Sequence, residues 1–138
     1  MATVSDFLTG PALASGYNIG GQSHHAENVL DFSVTNVSGS DVVQALNIPA
    51  NALVKSVWVE CMTVEGGVAT MDIGDGADAD GWDAAVDANS AAGIIEGDGA
   101  FAGGKLYSSA DTIDIVPSAD LDTAKIRIVA EFLVLELS

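Results

Sequence analysis

A loop between residues 72 and 83 holds the densest group of side chains that could do chemistry. It reads DIGDGADADGWD, so carboxylates alternate with small residues. Several hard oxygens on a flexible backbone are what Ca²⁺ prefers, which makes Asp75, Asp78 and Asp80 candidate metal ligands. The EF-hand pattern is not met, because the fifth position counted from Asp78 is Trp82. The loop is either a solvated hairpin connection or a structural Ca²⁺ site, and with Trp82 it would suit a Ca²⁺-dependent carbohydrate-binding β-sandwich module.

Nucleophiles and bases are too sparse for an active site. His24 and His25 are adjacent, so on an extended segment they point to opposite sides. Cys61 lies in an apolar run without a basic neighbour, which indicates a small buried hydrophobe rather than an activated thiol. The paired carboxylates lack the aromatic platforms of a glycosidase. The sequence therefore predicts no enzyme and no required cofactor, with Ca²⁺ as the one ion it could bind.

The composition combines strong acidity with high hydrophobicity. The 138 residues include 20 Asp or Glu and 4 Lys or Arg, for a formal net charge of -16, yet 49% are hydrophobic. So many apolar residues exclude a disordered acidic tail, and so few cations exclude a nucleic-acid binder. The most apolar stretch, residues 126–137, is short and interrupted by two glutamates, so no membrane partner is expected. One soluble globular domain remains.

The beginning of the chain gives no sign of a secretory leader, because its first basic residue is Lys55. Synthesis in a cytoplasm is therefore expected. A single cysteine also excludes an intrachain disulfide, so the core must hold the fold without covalent cross-links.

Residues 1–28 predict an extended N-terminal arm rather than a packed element. They are rich in small and turn-forming residues and show no sustained period. Four apolar side chains could anchor such an arm on its own body or on a neighbouring subunit, namely Phe7, Leu8, Leu13 and Tyr17.

From residue 29 onward, apolar residues recur at every second position, which is typical of half-buried strands. Strands are predicted at residues 30–35, 42–46, 53–64, 68–73, 94–95, 105–107 and 112–116, with a closing strand from residue 125. An alanine-rich stretch at residues 83–92 predicts a short helix. About eight short strands with frequent turns indicate a single-domain all-β sandwich or small barrel over residues 29–138. The pattern alone does not choose between jelly-roll and immunoglobulin-like topology.

The closing strand has the clearest pattern. One face consists of Ile126, Ile128, Ala130, Phe132 and Val134. Beyond Val129 the opposite face becomes apolar as well. A strand that is apolar on both faces needs cover on both sides, from a second layer or from a neighbouring subunit. Leu133 and Leu135 are therefore candidate interface residues.

Four segments together resemble the small all-β structural proteins of tailed-bacteriophage heads, several of which are capsid decoration, or cement, proteins. The segments are NIPANALV at residues 47–54, IGDGADADGW at 73–82, GKLY at 104–107 and ADTIDI at 110–115. The resemblance spans roughly residues 29–137. It implies a jelly-roll-like sandwich, commonly a homotrimer, bound to the major capsid protein on the outer surface of the virion.

The resemblance makes a decoration protein that stabilises contacts between major capsid proteins the leading hypothesis. The resemblance implies no active-site residues for this chain. A chain with 20 acids and 4 bases would be repelled by packaged DNA, which favours a position outside the capsid shell. The alternatives are another virion component, in a head fibre or tail, and the Ca²⁺-dependent carbohydrate-binding module.

Overall fold

The computed structural model describes residues 1–8 and 23–135. This part of the chain forms ten strands and no helix, and so none that is long and apolar enough to cross a membrane. The strands are β1 (Thr3–Val4), β2 (Ser23–Asp31), β3 (Val42–Ile48), β4 (Ala52–Thr63), β5 (Thr70–Gly74), β6 (Asp83–Asp87), β7 (Ile94–Glu96), β8 (Lys105–Tyr107), β9 (Asp111–Pro117) and β10 (Lys125–Val134).

The strands form two sheets with a jelly-roll topology. The first sheet has the order β1-β3-β9-β5-β6, and the second has the order β2-β10-β4, with β7 and β8 both pairing with β4. Early strands pair with late ones: β2 with β10, β3 with β9, and β4 with β7 and β8, while β5 and β6 close the ribbon. A ribbon of antiparallel strands folded over in this way is a jelly roll. The predicted all-β, jelly-roll-like sandwich is confirmed.

Side chains point alternately to the two faces of each strand, and the inward-facing ones fill the space between the sheets. The predicted inward face of β10 is wholly buried and consists of Ile126, Ile128, Ala130, Phe132 and Val134. On β4, Val57, Val59 and Cys61 are buried in the same way. The Cys61 thiol lies 3.4 Å from the carbonyl oxygens of Thr63 and Ala88. Burial raises the pKa of Cys61, which disfavours the reactive thiolate and agrees with the predicted structural role.

The helix predicted at residues 83–92 is wrong. Asp83–Asp87 forms β6, which pairs with β5 at the edge of the first sheet. Ala85 has a φ of 54°, outside the right-handed helical region, and its N–H donates to Asp72 Oδ1 at 2.9 Å. The helix preference of alanine amounts to less than about 1 kcal/mol per residue. Pairing with β5 outweighs it.

Parts of residues 1–28, which the sequence predicts as an extended arm, belong to the sheets. β1 pairs with β3, and β2 begins at Ser23 rather than near residue 30. β2 ends at Asp31, because that carboxylate accepts hydrogen bonds from the Ser33 N–H and Oγ at 3.0 and 2.5 Å and closes a turn. Residues 9–22 lie outside the described residues, so a reach of that segment to a neighbour stays a prediction.

Candidate functional site

The acidic loop after β5 is closed by one carboxylate. Asp75 Oδ1 accepts hydrogen bonds from the N–H groups of Ala77 and Asp78 at 2.9 and 3.0 Å. The Asp75 N–H in turn donates to the Asp78 carbonyl oxygen at 3.0 Å. This is the local side-chain-to-backbone bonding that makes aspartate a turn residue. The first predicted metal ligand therefore organises its own loop.

The other oxygen of Asp75 joins the loop to β8. Lys105 Nζ and the Tyr107 hydroxyl donate to Asp75 Oδ2 at 2.5 and 2.6 Å, and Trp82 Nε1 donates to the Tyr107 oxygen at 3.0 Å. Lys105 Nζ also lies 4.1 Å from the centre of the Phe101 ring. Burial alone would raise the pKa of Asp75, but the hydrogen bonds from Lys105, Tyr107 and the backbone outweigh it and lower the pKa. We call these five residues the Asp75 network.

The three predicted metal ligands are not gathered around one point. Asp75 is 4% exposed and points into its network, whereas Asp80 is exposed and lies next to Asp78. The hydrogen bond and charge of Asp78 raise the pKa of Asp80. Within residues 1–8 and 23–135, no three His, Cys, Asp or Glu side chains form a group that could hold a metal ion. A Ca²⁺ site here stays a prediction.

Trp82 is placed where it cannot stack on a sugar. Its side chain is fully buried and packs edge-on against Phe101, with ring centres 5.6 Å apart. A carbohydrate platform needs an exposed aromatic face. The carbohydrate-binding interpretation therefore loses the one aromatic side chain on which it relied.

We expect Gly74→Ala to destabilise the fold severely. A β-carbon at residue 74 would overlap the backbone carbonyl of Asp78 and the backbone of Ala79, which the Asp75 turn folds back over β5. Backbone atoms cannot move aside as a flexible side chain can, so the expected loss is at least about 2 kcal/mol of unfolding free energy. Urea denaturation measures it. Gly67→Ala is the control, because nothing lies within 4 Å of its β-carbon. Equal midpoints for the two variants would contradict the close approach.

A second buried carboxylate, Asp114, lies on β9 beside Gly74 of β5. The Thr112 hydroxyl donates to Asp114 Oδ1 at 2.6 Å. Burial, with help from the charges of Asp111 and Asp75, raises the pKa of Asp114 to about 6. The group therefore titrates in a range where an ordinary aspartate is fully ionised.

The predicted anchors at the amino terminus divide into two groups. Phe7 packs edge-on against Phe32 with ring centres 5.2 Å apart, and its carbonyl accepts a hydrogen bond from Asn28 Nδ2 at 2.9 Å. Leu8 is half-buried. Phe7 therefore contacts the chain's own body, and the Leu8 N–H donates to the Ser5 carbonyl oxygen at 3.1 Å. Leu13 and Tyr17 lie outside the described residues.

Leu133 and Leu135 lie on the outer face of the second sheet. Leu133 pairs with Leu53 on β4, and Leu53 pairs with Leu106 on β8, so three leucines form a row across the sheet. Leu106 and Leu135 are 53% and 40% exposed. Sequence reasoning found Leu133 and Leu135 but missed Leu53 and Leu106, because only the strand register brings them together.

Cross-strand ion pairs cover much of the same outer face. Lys55 pairs with Glu131 at 3.2 Å, Arg127 with Glu60 at 3.4 Å, and Lys125 with Asp31 at 3.8 Å, each across neighbouring strands. The fourth cation, Lys105, belongs to the Asp75 network. In the described residues, the surface outside this face and that network therefore carries carboxylates but no Lys or Arg.

Known structures place this fold among phage capsid chains. No family model matches the chain, and no curated protein is significantly similar to it in sequence. A chain from the capsid of Ralstonia phage GP4 aligns with a TM-score of 0.69 at 14% identity, covering 99% of this chain and 100% of that one. A chain from the acid-stable capsid of Helicobacter pylori bacteriophage KHP30 gives 0.61 at 12% identity, covering 86% and 92%. One from the cyanophage Pam1 capsid asymmetric unit gives 0.59 at 18% identity, covering 92% and 94%. The resemblance to phage head proteins is confirmed at the level of the fold.

Proposed function

We propose that the protein is a non-enzymatic structural component of a phage virion that decorates the outer capsid surface and stabilises contacts between major capsid proteins. The observation that carries the proposal is the full-length match of its fold to a chain in the GP4 capsid, with 99% and 100% of the two chains aligned. A shared fold does not dictate a shared role, so the surface properties of this chain have to support the proposal independently.

The charge of the protein supports an outer position. A net charge of -16 repels packaged nucleic acid, and the loops that carry most of the acids have few counter-charges. The protein would be made in the host cytoplasm and join the assembled shell from outside. There it would meet capsid proteins, and never a nucleic acid or a membrane, as its partner.

Cementing requires only preferential binding. A protein that binds the assembled lattice and not its dissociated subunits stabilises the lattice by mass action, by about 2.7 kcal/mol per site when its free concentration is a hundredfold above its Kd. No catalytic group takes part. In this proposal a homotrimer would multiply the number of capsid contacts, with Leu133 and Leu135 between subunits and the segment that carries Leu13 and Tyr17 reaching the capsid.

The proposal is tested by adding the purified protein to capsids that lack it. We expect saturable binding and a higher temperature of capsid disruption, measured by light scattering together with electron microscopy of the particles. Binding to tails or fibres in place of the head would assign the protein to another part of the virion. Capsids that neither bind it nor gain heat resistance would contradict the proposal.

The contribution of the amino-terminal segment can be separated from folding. The double variant Leu13→Ser and Tyr17→Ser changes the two predicted anchors outside the described residues, and a melting temperature equal to that of the wild type identifies preparations in which the body still folds. Capsid attachment should weaken by at least about tenfold, which corresponds to 1.4 kcal/mol and is well within the value of two buried apolar side chains. Unchanged attachment would remove the segment from the proposal.

A further inference from the structure

β2 forms an edge of the second sheet, and in residues 1–8 and 23–135 it pairs with β10 alone. It is nine residues long, whereas the edge strands β1, β6, β7 and β8 have two to five residues each. Proteins protect exposed edges with short strands, bulges, prolines or charged side chains. β2 has a continuous register with β10, no proline and no lysine. It is therefore the least protected edge among the described strands, with Glu27 in its middle as its main protection.

The register identifies which backbone groups of β2 have no neighbouring strand. The Phe32 N–H donates to the Ala124 carbonyl oxygen at 2.9 Å, one step beyond the pair of Asp31 and Lys125. In an antiparallel ladder every second residue directs both its N–H and its C=O to the same neighbour. The even-numbered residues of β2 therefore bond to β10, and three exposed odd-numbered residues direct theirs away from it: His25, Glu27 and Val29. None of the three makes another backbone hydrogen bond in the described residues. We call their N–H and C=O groups the free edge of β2.

The amino-terminal segment contacts β2 without pairing with this edge. The Phe7 carbonyl accepts its hydrogen bond from the Asn28 side chain, which also donates to the Ala45 carbonyl oxygen on β3 at 3.0 Å. Asn28 is an even-numbered residue, so its side chain lies on the face of β2 that is turned toward the first sheet. The described part of the amino terminus therefore meets a side chain of β2 and not its free backbone groups.

We propose that the free edge of β2 binds an extended, basic segment of a capsid protein, which adds a strand to the second sheet. The inference rests on the proposed function, because it names the backbone groups that make the capsid contact. In strand addition the main-chain hydrogen bonds give affinity, and the alternating side chains give specificity. β2 begins at Ser23, directly after the segment that carries the predicted anchors Leu13 and Tyr17. The two proposed capsid contacts are therefore continuous along the chain.

The charge of the edge determines which strand fits it. Glu27 lies in the middle of the free edge and forms no ion pair in the described residues. A cation directly across from it contributes roughly 0.2–1 kcal/mol, whereas a like charge there is destabilising. A second copy of this chain, paired about the middle of the edge, would bring Glu27 against Glu27 and a charge of -16 against -16. The edge therefore favours a foreign strand with Lys or Arg beside Glu27 and an apolar side chain beside Val29, which is 39% exposed.

Glu27→Pro tests the backbone contact. It removes one N–H of the free edge and none of the hydrogen bonds between β2 and β10, and proline is tolerated where the N–H of an edge strand faces solvent. The matched control is Glu27→Thr, which loses the same carboxylate but keeps the N–H. In cosedimentation with capsids that lack the protein, Glu27→Pro should bind at least about tenfold more weakly than Glu27→Thr. Glu27→Thr should bind more weakly than the wild type, by a factor that shrinks as salt is raised.

Amide hydrogen exchange of the wild type gives a second measurement that needs no variant. In the free full-length protein, the amides of His25, Glu27 and Val29 should exchange fast, and those of Ala26 and Asn28, which donate to β10, should be protected. Mass spectrometry of the capsid-bound protein should then show slower exchange over residues 23–31.

The outcomes separate this inference from the proposed function. Equal capsid binding by Glu27→Pro and Glu27→Thr would overturn the strand addition and leave the decoration role standing. Protection of the three odd-numbered amides in the free protein would show that another part of the chain or a second copy already occupies the edge, which also overturns it. Binding of Glu27→Thr at least as tight as that of the wild type would overturn the basic character of the partner strand. Capsids that bind no form of the protein would contradict the proposed function and this inference with it.

Discussion

Lys105→Met is expected to destabilise the protein by about 3–5 kcal/mol, because it leaves the buried Asp75 carboxylate without its cation. The Asp75 side chain is 0% exposed, and Lys105 and Tyr107 are the side chains that donate to its Oδ2. Removing one member of a buried pair leaves an uncompensated charge, which is far more costly than removing both. Chemical denaturation at pH 7 measures the loss.

Two further variants make the result specific to the Asp75 network. The double variant Asp75→Asn and Lys105→Met removes both charges and should recover a large part of the lost stability. Lys55→Met breaks an ion pair whose side chains are 48% and 38% exposed, and should change the unfolding free energy by less than about 1 kcal/mol. If Lys105→Met were no more harmful than Lys55→Met, the Asp75 network would not hold the loop to β8.

Asp114→Asn is expected to stabilise the protein at pH 7 and to flatten its stability between about pH 4 and pH 7. Asp114 is 5% exposed, and its pKa rises from 3.8 to about 6 on folding. A carboxylate with a raised pKa binds its proton more tightly when folded. Its contribution is therefore complete below pH 3.8 and is lost as the pH rises through about 6. Two pKa units correspond to at most about 3 kcal/mol.

The measurement is the unfolding free energy of both proteins across this pH range. The wild type should gain stability on mild acidification, and the variant should gain much less, because asparagine carries no charge and can still accept the hydrogen bond from Thr112. Burial also raises the pKa of Asp83, which should leave a smaller slope of the same sign. Glu27→Gln, an exposed change on the other sheet, should behave as the wild type. Parallel curves for wild type and Asp114→Asn would refute the assignment.

Acidification below about pH 4 should lower the stability of the protein. The pKa of Asp75 is lowered in the folded state, so the stability that it contributes is present at neutral pH and is lost as the carboxylate becomes protonated. Asp114 pairs with Gly74, the residue before Asp75, so two carboxylates with opposite pH dependence lie in the same region of the first sheet. The protein is therefore expected to be most stable at mildly acidic pH.

Period-two patterning was sufficient to predict the long strands. β4 and β10 begin and end within about two residues of the sequence-based boundaries, since both alternate between a buried and a solvent-facing side along most of their length. The helix expected at residues 83–92 was wrong, because alanine favours a helix only weakly and β5 offered an unpaired edge. Local pattern carries no information about which edge a segment will meet.

The network around Asp75 could not be predicted for a related reason. Asp75 and Lys105 are 30 residues apart in sequence, Asp75 in a glycine-rich loop and Lys105 at the start of a predicted strand. The charge count identified the loop as acidic and suggested solvent or a metal ion as the neutralising agent. In the structure, the pairing of β8 with β4 places Lys105 next to Asp75, and the lysine neutralises this buried carboxylate.

The pairing of early strands with late ones also determines when this protein can fold. β4 cannot pair with β10 until β10 has been synthesised, more than 60 residues later. For β2, which pairs with the same strand, the separation in sequence is longer still. Folds in which partners are so distant in sequence form slowly and expose apolar edges while they wait. A nascent chain is thus at risk of association until synthesis has passed Val134. The excess of acids over bases along the chain makes unfinished copies repel one another and would limit such association.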